Sequence, residues 1–274
     1  HSNKGGRGNG TAARVDHSVA SAPLEGSLAA RLASGDTCAV ITFGGQGSEC
    51  LDEIASLLVD APELRPLVER SAERIAEVVQ ERAFRWSGRY RHGFDLLGWL
   101  ARPEERPPVA YLTSSAISQP LIFLCQVLRH QACWSEGLAS AFSAGSIAGL
   151  SGHSQGMMAA LLVAESADGQ VVANRLVQYV AYLTWQGLHM GTAWKDDNRS
   201  GSPMAAIAGV HQVWIRRALD EANASLPKSQ HASIALHNPR TRFVIAGPGA
   251  TLNACKKRLE IAVGGAKDDT KAGR

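Results

Sequence analysis

Ser154 stands at the centre of Gly152-His153-Ser154-Gln155-Gly156, with a glycine two positions away on each side. In a G-x-S-x-G element of this kind a sharp strand-to-helix turn lifts the serine hydroxyl out of the backbone, and the flanking glycines leave room for a substrate to reach it as a nucleophile. Five such residues also occur in ordinary loops, so the flanks must make the distinction. Ala139 to Leu150 is small and apolar, broken at Gly145 and Gly149, and predicts a short buried strand entering the turn. Met157 to Ala164 runs apolar without Pro or Gly up to Glu165 and predicts a buried helix leaving it. Strand, elbow and helix is the order a nucleophile needs.

Such a turn has to be carried by a sheet. Thr37 to Phe43 predicts a core strand that delivers the glycine-rich loop Gly44-Gly45-Gln46-Gly47-Ser48. Leu51 to Val59 and Leu64 to Val79 show helical spacing, and Trp86 to Pro108, with its clustered Arg, Gly and Pro, predicts an irregular surface excursion. Thr113 to Ala132 predicts a buried helix opened by Pro120 in its first turn. Gly169 to Met190 predicts the second helix after the elbow.

From Met204 the pattern changes to strand (Met204 to Val210), helix (Gln212 to Ala224), strands (Ala232 to His237 and Arg242 to Ala246) and helix (Thr251 to Val263). That β-α-β-β-α order is most of a ferredoxin-like unit, which one further strand would complete. The expected organisation is a flexible leader or tag-containing segment over 1–36, a core over 37–200, an incomplete ferredoxin-like subdomain over 201–265 and a mobile tail or loop over 266–274.

Composition excludes several function classes. A chain of 274 residues that is 45% hydrophobic can bury a sizeable core. Its 28 basic and 25 acidic residues nearly balance, and no basic run is interleaved with aromatics, so nucleic acid is not an expected partner. Five cysteines without a C-x-x-C pair predict reduced thiols in a cytoplasmic protein rather than a disulfide framework or a zinc site. No apolar run approaches the roughly 18 residues of a membrane span. The loop at Gly44 lacks the Lys and Ser or Thr of a phosphate-binding P-loop.

Five motifs then stand in sequence: Phe43-Gly44-Gly45-Gln46-Gly47-Ser48, Ser118-Gln119-Pro120, Gly152-His153-Ser154-Gln155-Gly156, Ser202-Pro203-Met204, and Asn238-Pro239-Arg240 with Val244-Ile245-Ala246-Gly247-Pro248. In order and approximate spacing the chain resembles acyl-carrier-protein transacylases. It is most similar to the acyltransferase domain of type I fatty acid synthases and the starter-unit acyltransferase domains of iterative polyketide synthases, over roughly residues 37 to 265.

The resemblance implies an α/β fold: an α/β-hydrolase-like core with a ferredoxin-like small subdomain. It implies a ping-pong reaction in which an acyl group passes from acyl-CoA to Ser154 as an ester and then to the phosphopantetheine thiol of an acyl carrier protein. The setting would be a multifunctional synthase, with no bound cofactor and no metal. An acyl-transferring serine needs an adjacent base, and its tetrahedral oxyanion needs preorganised N–H donors. The resemblance gives the donor role to the backbone N–H groups of Gln155 and Gln46, and substrate-binding positions to Gln119, Gln186 and His237.

The base is the chief departure from the family pattern. Members carry a catalytic histidine in a Pro-Phe-His type segment after the ferredoxin-like unit, and no residue here matches it, so the base is expected beyond Arg274. His153 adjoins the nucleophile, with its side chain expected to point away from the hydroxyl. His237 precedes Asn238 and is a candidate for the pocket wall, with a hydrogen-bonded structural histidine as the alternative. Malonyl-type members place an Arg before a Gly and, three residues on, a Met; alignment on Gly187 and Met190 puts Gln186 there, and Arg175 lies about three turns earlier. A neutral amide does not balance a buried carboxylate, so acetyl or another monocarboxylic starter is favoured over malonyl. A serine hydrolase or thioesterase of related fold and a non-catalytic docking module are the other readings these residues leave open.

Overall fold

The computed structural model describes residues 26–45, 50–166, 168–193, 203–238 and 241–269. Gln46, Gly47, Ser48, Ser202, Pro239 and Arg240 of the motifs lie outside the described residues, as does most of the expected leader. The described chain divides into two compact units, one ending at Ala193 and the other holding the residues from Pro203 onward.

The first unit runs α1 (Leu28–Ala33), β1 (Ala39–Phe43), α2 (Leu51–Asp60), α3 (Arg65–Val79), α4 (Arg82–Trp86), α5 (Leu96–Ala101), α6 (Val109–Leu112), α7 (Ser115–Cys133), α8 (Ala139–Ser143), β2 (Ile147–Gly152), α9 (Gly156–Ala164) and α10 (Gly169–Ala193). β1 and β2 pair in parallel with Phe43 opposite Gly152. The glycine-rich loop and the elbow therefore leave neighbouring strands at their carboxyl ends, where open α/β sheets place their ligands.

α7 is the spine of this unit. Every residue from Ala116 to Cys125 is buried, as a helix apolar on all sides requires, and α2, α9 and α10 pack around it. Several expectations are corrected here. Pro120 does not open α7, because the helix starts at Ser115 and Pro120 lies inside it. Lacking an N–H, Pro120 leaves the Ala116 carbonyl without its helical donor, and the Tyr90 hydroxyl donates to that oxygen at 3.1 Å instead.

The segment from Trp86 to Pro108 is not a surface excursion. It contains α5 and seats Phe94 and Trp99 in an aromatic cluster with Tyr90 and Tyr111. Aromatic anchors separated by charged and glycine residues follow no helical or strand period, so periodicity could not find them. Ala139 to Leu150 opens with α8 rather than a strand, and Gly145, at φ 70, makes the break before β2. β2 is half-buried rather than buried, since among the described residues it pairs with β1 alone. The last eleven positions assigned to the leader, 26–36, fold as well: the Ala30 N–H donates to Ser27 Oγ at 3.2 Å, and α1 buries Leu32 and lies against α8.

The second unit comprises β3 (Met204–Ala208), α11 (Gln212–Asn223), β4 (Ser233–Asn238), β5 (Arg242–Ala246) and α12 (Gly249–Asp269). Its antiparallel sheet has the order β3-β5-β4, the arrangement of the first three strands of a ferredoxin-like unit. Ile215, Leu219, Phe243, Ile245, Leu252 and Cys255 form one core between that sheet and the two helices. α12 continues past the expected end at Val263.

Candidate active site

Between the end of β2 and the start of α9 only His153, Ser154 and Gln155 make the turn. Ser154 takes φ 53, a left-handed conformation that costs a non-glycine residue about 1–2 kcal/mol. Such strain persists only where the surroundings over-determine it. Here His153 N–H donates to Phe43 O at 2.9 Å, Gly156 N–H to His153 O at 2.9 Å, and Met157 N–H to Ser154 O at 3.1 Å.

Both flanking glycines are steric requirements. A Cβ on Gly152 would stand 2.5 Å from Gly156 O, and one on Gly156 would stand 2.7 Å from Phe43 C and drive into the Gly44 carbonyl oxygen. Ser154 is left exposed at the head of α9, where the positive end of the helix dipole favours negative charge developing beside it.

Gly44 and Gly45, at the start of the glycine-rich loop, lie against this turn. A Cβ on Gly45 would stand 3.4 Å from Ser154 Cβ and 2.8 Å from His153 Nδ1, so the His153 ring lies over the loop. Gln126 Nε2 donates to Gly44 O at 2.6 Å. Sequence reasoning missed Gln126; the signal was a lone amide side chain in an otherwise apolar stretch of helix.

Three of the predicted glutamines fall in this unit. Gln155 is buried, and its Nε2 donates to the Gln119 carbonyl at 3.2 Å, so the elbow and α7 are joined through the two predicted positions. Gln119 is only 2% exposed. Gln186 lies on α10 beside Gly187, where a Cβ would strike the backbone of Ser115 at the start of α7. The side-chain oxygens of Gln155 and Gln186 are both buried without a protein hydrogen-bond partner, a condition that costs about 1–3 kcal/mol per group. His237 lies on β4 of the second unit, exposed, with its ring stacked on Phe243 at 4.4 Å.

Arg175 is engaged elsewhere: it pairs with Glu165, which also accepts from the Tyr179 hydroxyl. The Tyr179 hydrogen bond and the Arg175 guanidinium together hold the Glu165 carboxyl below the usual range. Among the described residues no group of His, Cys, Asp and Glu could hold a metal ion, and no helix is long and apolar enough to cross a membrane.

With this geometry in view, residues 41–267 match the model of a family described as starter unit:ACP transacylase in aflatoxin biosynthesis. The chain belongs to this family. It is thus an acyltransferase domain of the fatty acid and polyketide synthase kind, as the motifs implied.

Among relatives, the fatty acid synthase beta subunit aflB of Emericella nidulans is 33% identical over 183 residues, 63% of this chain and 9% of that protein. The fatty acid synthase subunit beta of Aspergillus oryzae is 28% identical over 260 residues, 85% of this chain and 12% of its own. The chain therefore spans about a tenth of these relatives' length. The malonyl CoA-acyl carrier protein transacylase of Coxiella burnetii shares the fold at a TM-score of 0.54 and 19% identity, over 82% of this chain and 58% of that one. A malonyl-transacylase solved in complex with its type II acyl-carrier protein matches at a TM-score of 0.52 and 20% identity, over 81% of this chain and 59% of its own. The expected fold is borne out.

Proposed function

We propose that Ser154 takes an acyl group from acyl-CoA and passes it to the phosphopantetheine thiol of an acyl carrier protein, as one domain of a multifunctional synthase. The observation that carries this reading is the strained turn at Ser154, held between two glycines that admit no side chain. In the first half-reaction the Ser154 oxygen attacks the thioester carbonyl, the C–S bond breaks, and coenzyme A leaves as the thiol. In the second, the carrier thiol attacks the Ser154 ester and the serine oxygen recovers its proton. The backbone N–H groups of Gln155 and Gln46 receive the oxyanion in both, a contribution on the order of 10²–10³ in rate for a single such donor.

The acyl group is acetyl or another monocarboxylic starter. Gln186 carries no charge to offset a carboxylate, and Arg175 is already paired with Glu165. Incubating the chain, extended to include the segment expected to carry the base, with acetyl-CoA or malonyl-CoA and weighing the intact protein tests the reading. One acetyl group on the native chain, none on Ser154→Ala, and transfer to an added phosphopantetheinyl carrier protein is the expected result. Loss of the label to water instead identifies a hydrolase, and an unlabelled native chain sinks the acyl-ester reading.

A further inference from the structure

α7 holds both flanks of the glycine-rich loop through neighbouring residues. Before the loop, Gln126 Nε2 donates to Gly44 O at 2.6 Å. After it, Cys50 is buried in the same core cluster as Cys125 of α7. One turn further along α7, Arg129 reaches Glu53 in the first turn of α2 at 2.7 Å. α7 itself cannot shift to follow a moving loop, because Phe123, Leu124, Val127 and Leu128 are wholly buried around these positions.

The Gly44 carbonyl is also the group that excludes a side chain from Gly156. Its orientation is therefore shared by the loop, the elbow and α7. We propose that Gln126 is a positioning residue for acyl transfer: by fixing the Gly44 carbonyl it holds the Gly44-Gly45 backbone against the turn that carries Ser154. This rests on the reading of Ser154 as the acyl carrier.

The unused half of the Gln126 amide argues for such a role. Its Oε1 is buried without a partner, so as a filler it is inferior to an apolar side chain of the same volume. What the site uses is the donor end alone.

The test compares Gln126→Met, which keeps volume and removes the donor, with Gln126→Glu, which sets an acceptor against the carbonyl. Three measurements are made on the full chain: single-turnover acylation of Ser154 by acetyl-CoA, melting temperature, and amide hydrogen exchange across 43–50. Gln126→Met is expected to slow acylation on the order of tenfold at saturating acetyl-CoA, with the half-saturating concentration within about twofold. Its melting temperature should be equal or higher and its exchange faster only across 43–50, whereas Gln126→Glu should be slower still. A filler role predicts the opposite, a lowered melting temperature with acylation within about twofold of the native rate, and that result overturns the proposal. Absence of acyl-Ser154 in the native chain overturns the reading on which this rests. Where the native chain does acylate, unchanged exchange across 43–50 in Gln126→Met overturns the loop tether and with it the positioning role.

Discussion

Gly156 lies directly against Gly44: a side chain on the first residue of the elbow helix would occupy the space of the carbonyl two residues before Gln46. The first and third motifs of the sequence are thus one steric object, although they are far apart in the chain.

Gly156→Ala is accordingly expected to cost more than the Ala-for-Gly exchange normally gains in a helix. Its methyl group meets backbone at Phe43 and Gly44, at the end of β1. Destabilisation of about 1–3 kcal/mol is typical of such overpacking, and acylation of Ser154 should fall with it. Thermal melting and single-turnover acylation read the two effects separately; a variant that melts and acylates like the native chain would show that the two loops are not in contact.

The strain at Ser154 has its own signature. Glycine adopts φ 53 without penalty, whereas alanine suffers it as serine does. Ser154→Gly and Ser154→Ala should both be inert toward acyl-CoA, yet the glycine variant should melt higher by about 2–4 °C, the shift that 1 kcal/mol produces in a domain of this size. Equal melting temperatures would remove the case for a strained nucleophile.

Tyr90 and Pro120 form a compensating pair. Tyr90→Phe leaves the Ala116 carbonyl without the donor it has at 3.1 Å, a loss of about 1–3 kcal/mol for a buried acceptor. Pro120→Ala returns a helical N–H to the same oxygen, so Tyr90→Phe should cost clearly less in that background. A double-mutant cycle by denaturant unfolding measures the coupling, and additive effects would mean that the hydroxyl is not what satisfies Ala116.

His130 should make stability depend on pH. It is buried beside Trp134 and Phe142, with the Gln131 amide 3.5 Å from its Nδ1, and burial lowers its pKa to about 4. A folded-state value below the unfolded one of about 6.5 means the stabilisation is fully present above about pH 6.5 and is lost as pH falls through that window toward 4. The loss amounts to about 3 kcal/mol over that range, and His130→Phe should flatten the curve of unfolding free energy against pH. An unchanged slope in the variant would assign the acid sensitivity to other groups.

The parts of this site that were legible in the sequence are those whose signal is local. Gly152, Ser154 and Gly156 reveal the elbow because the turn's own backbone demands glycine at fixed spacing, and Arg242 to Ala246 reads as a strand because its apolar content is contiguous. Gln126 and Tyr90 were not legible, since each is defined by a backbone carbonyl in another element. Pro120 misled for the same reason. Its rule concerns an isolated helix, and the hydroxyl that makes it tolerable comes from Tyr90, 26 residues before the Ala116 carbonyl it serves.

Acyl selectivity is the function most open to redesign, because Gln186 is an amide whose buried oxygen has no protein partner. Replacing it by arginine puts a fixed positive charge and a two-pronged donor where the amide stood, a geometry matched to a carboxylate. With acetyl-CoA and malonyl-CoA in competition, Gln186→Arg should raise the ratio of malonyl to acetyl ester on Ser154 by tenfold or more, equivalent to about 1.4 kcal/mol. The gain must come from malonyl rather than from a general loss, so total acylation has to be measured beside the ratio. A variant that acylates well with an unaltered ratio would mean that the α10 position does not face the acyl group.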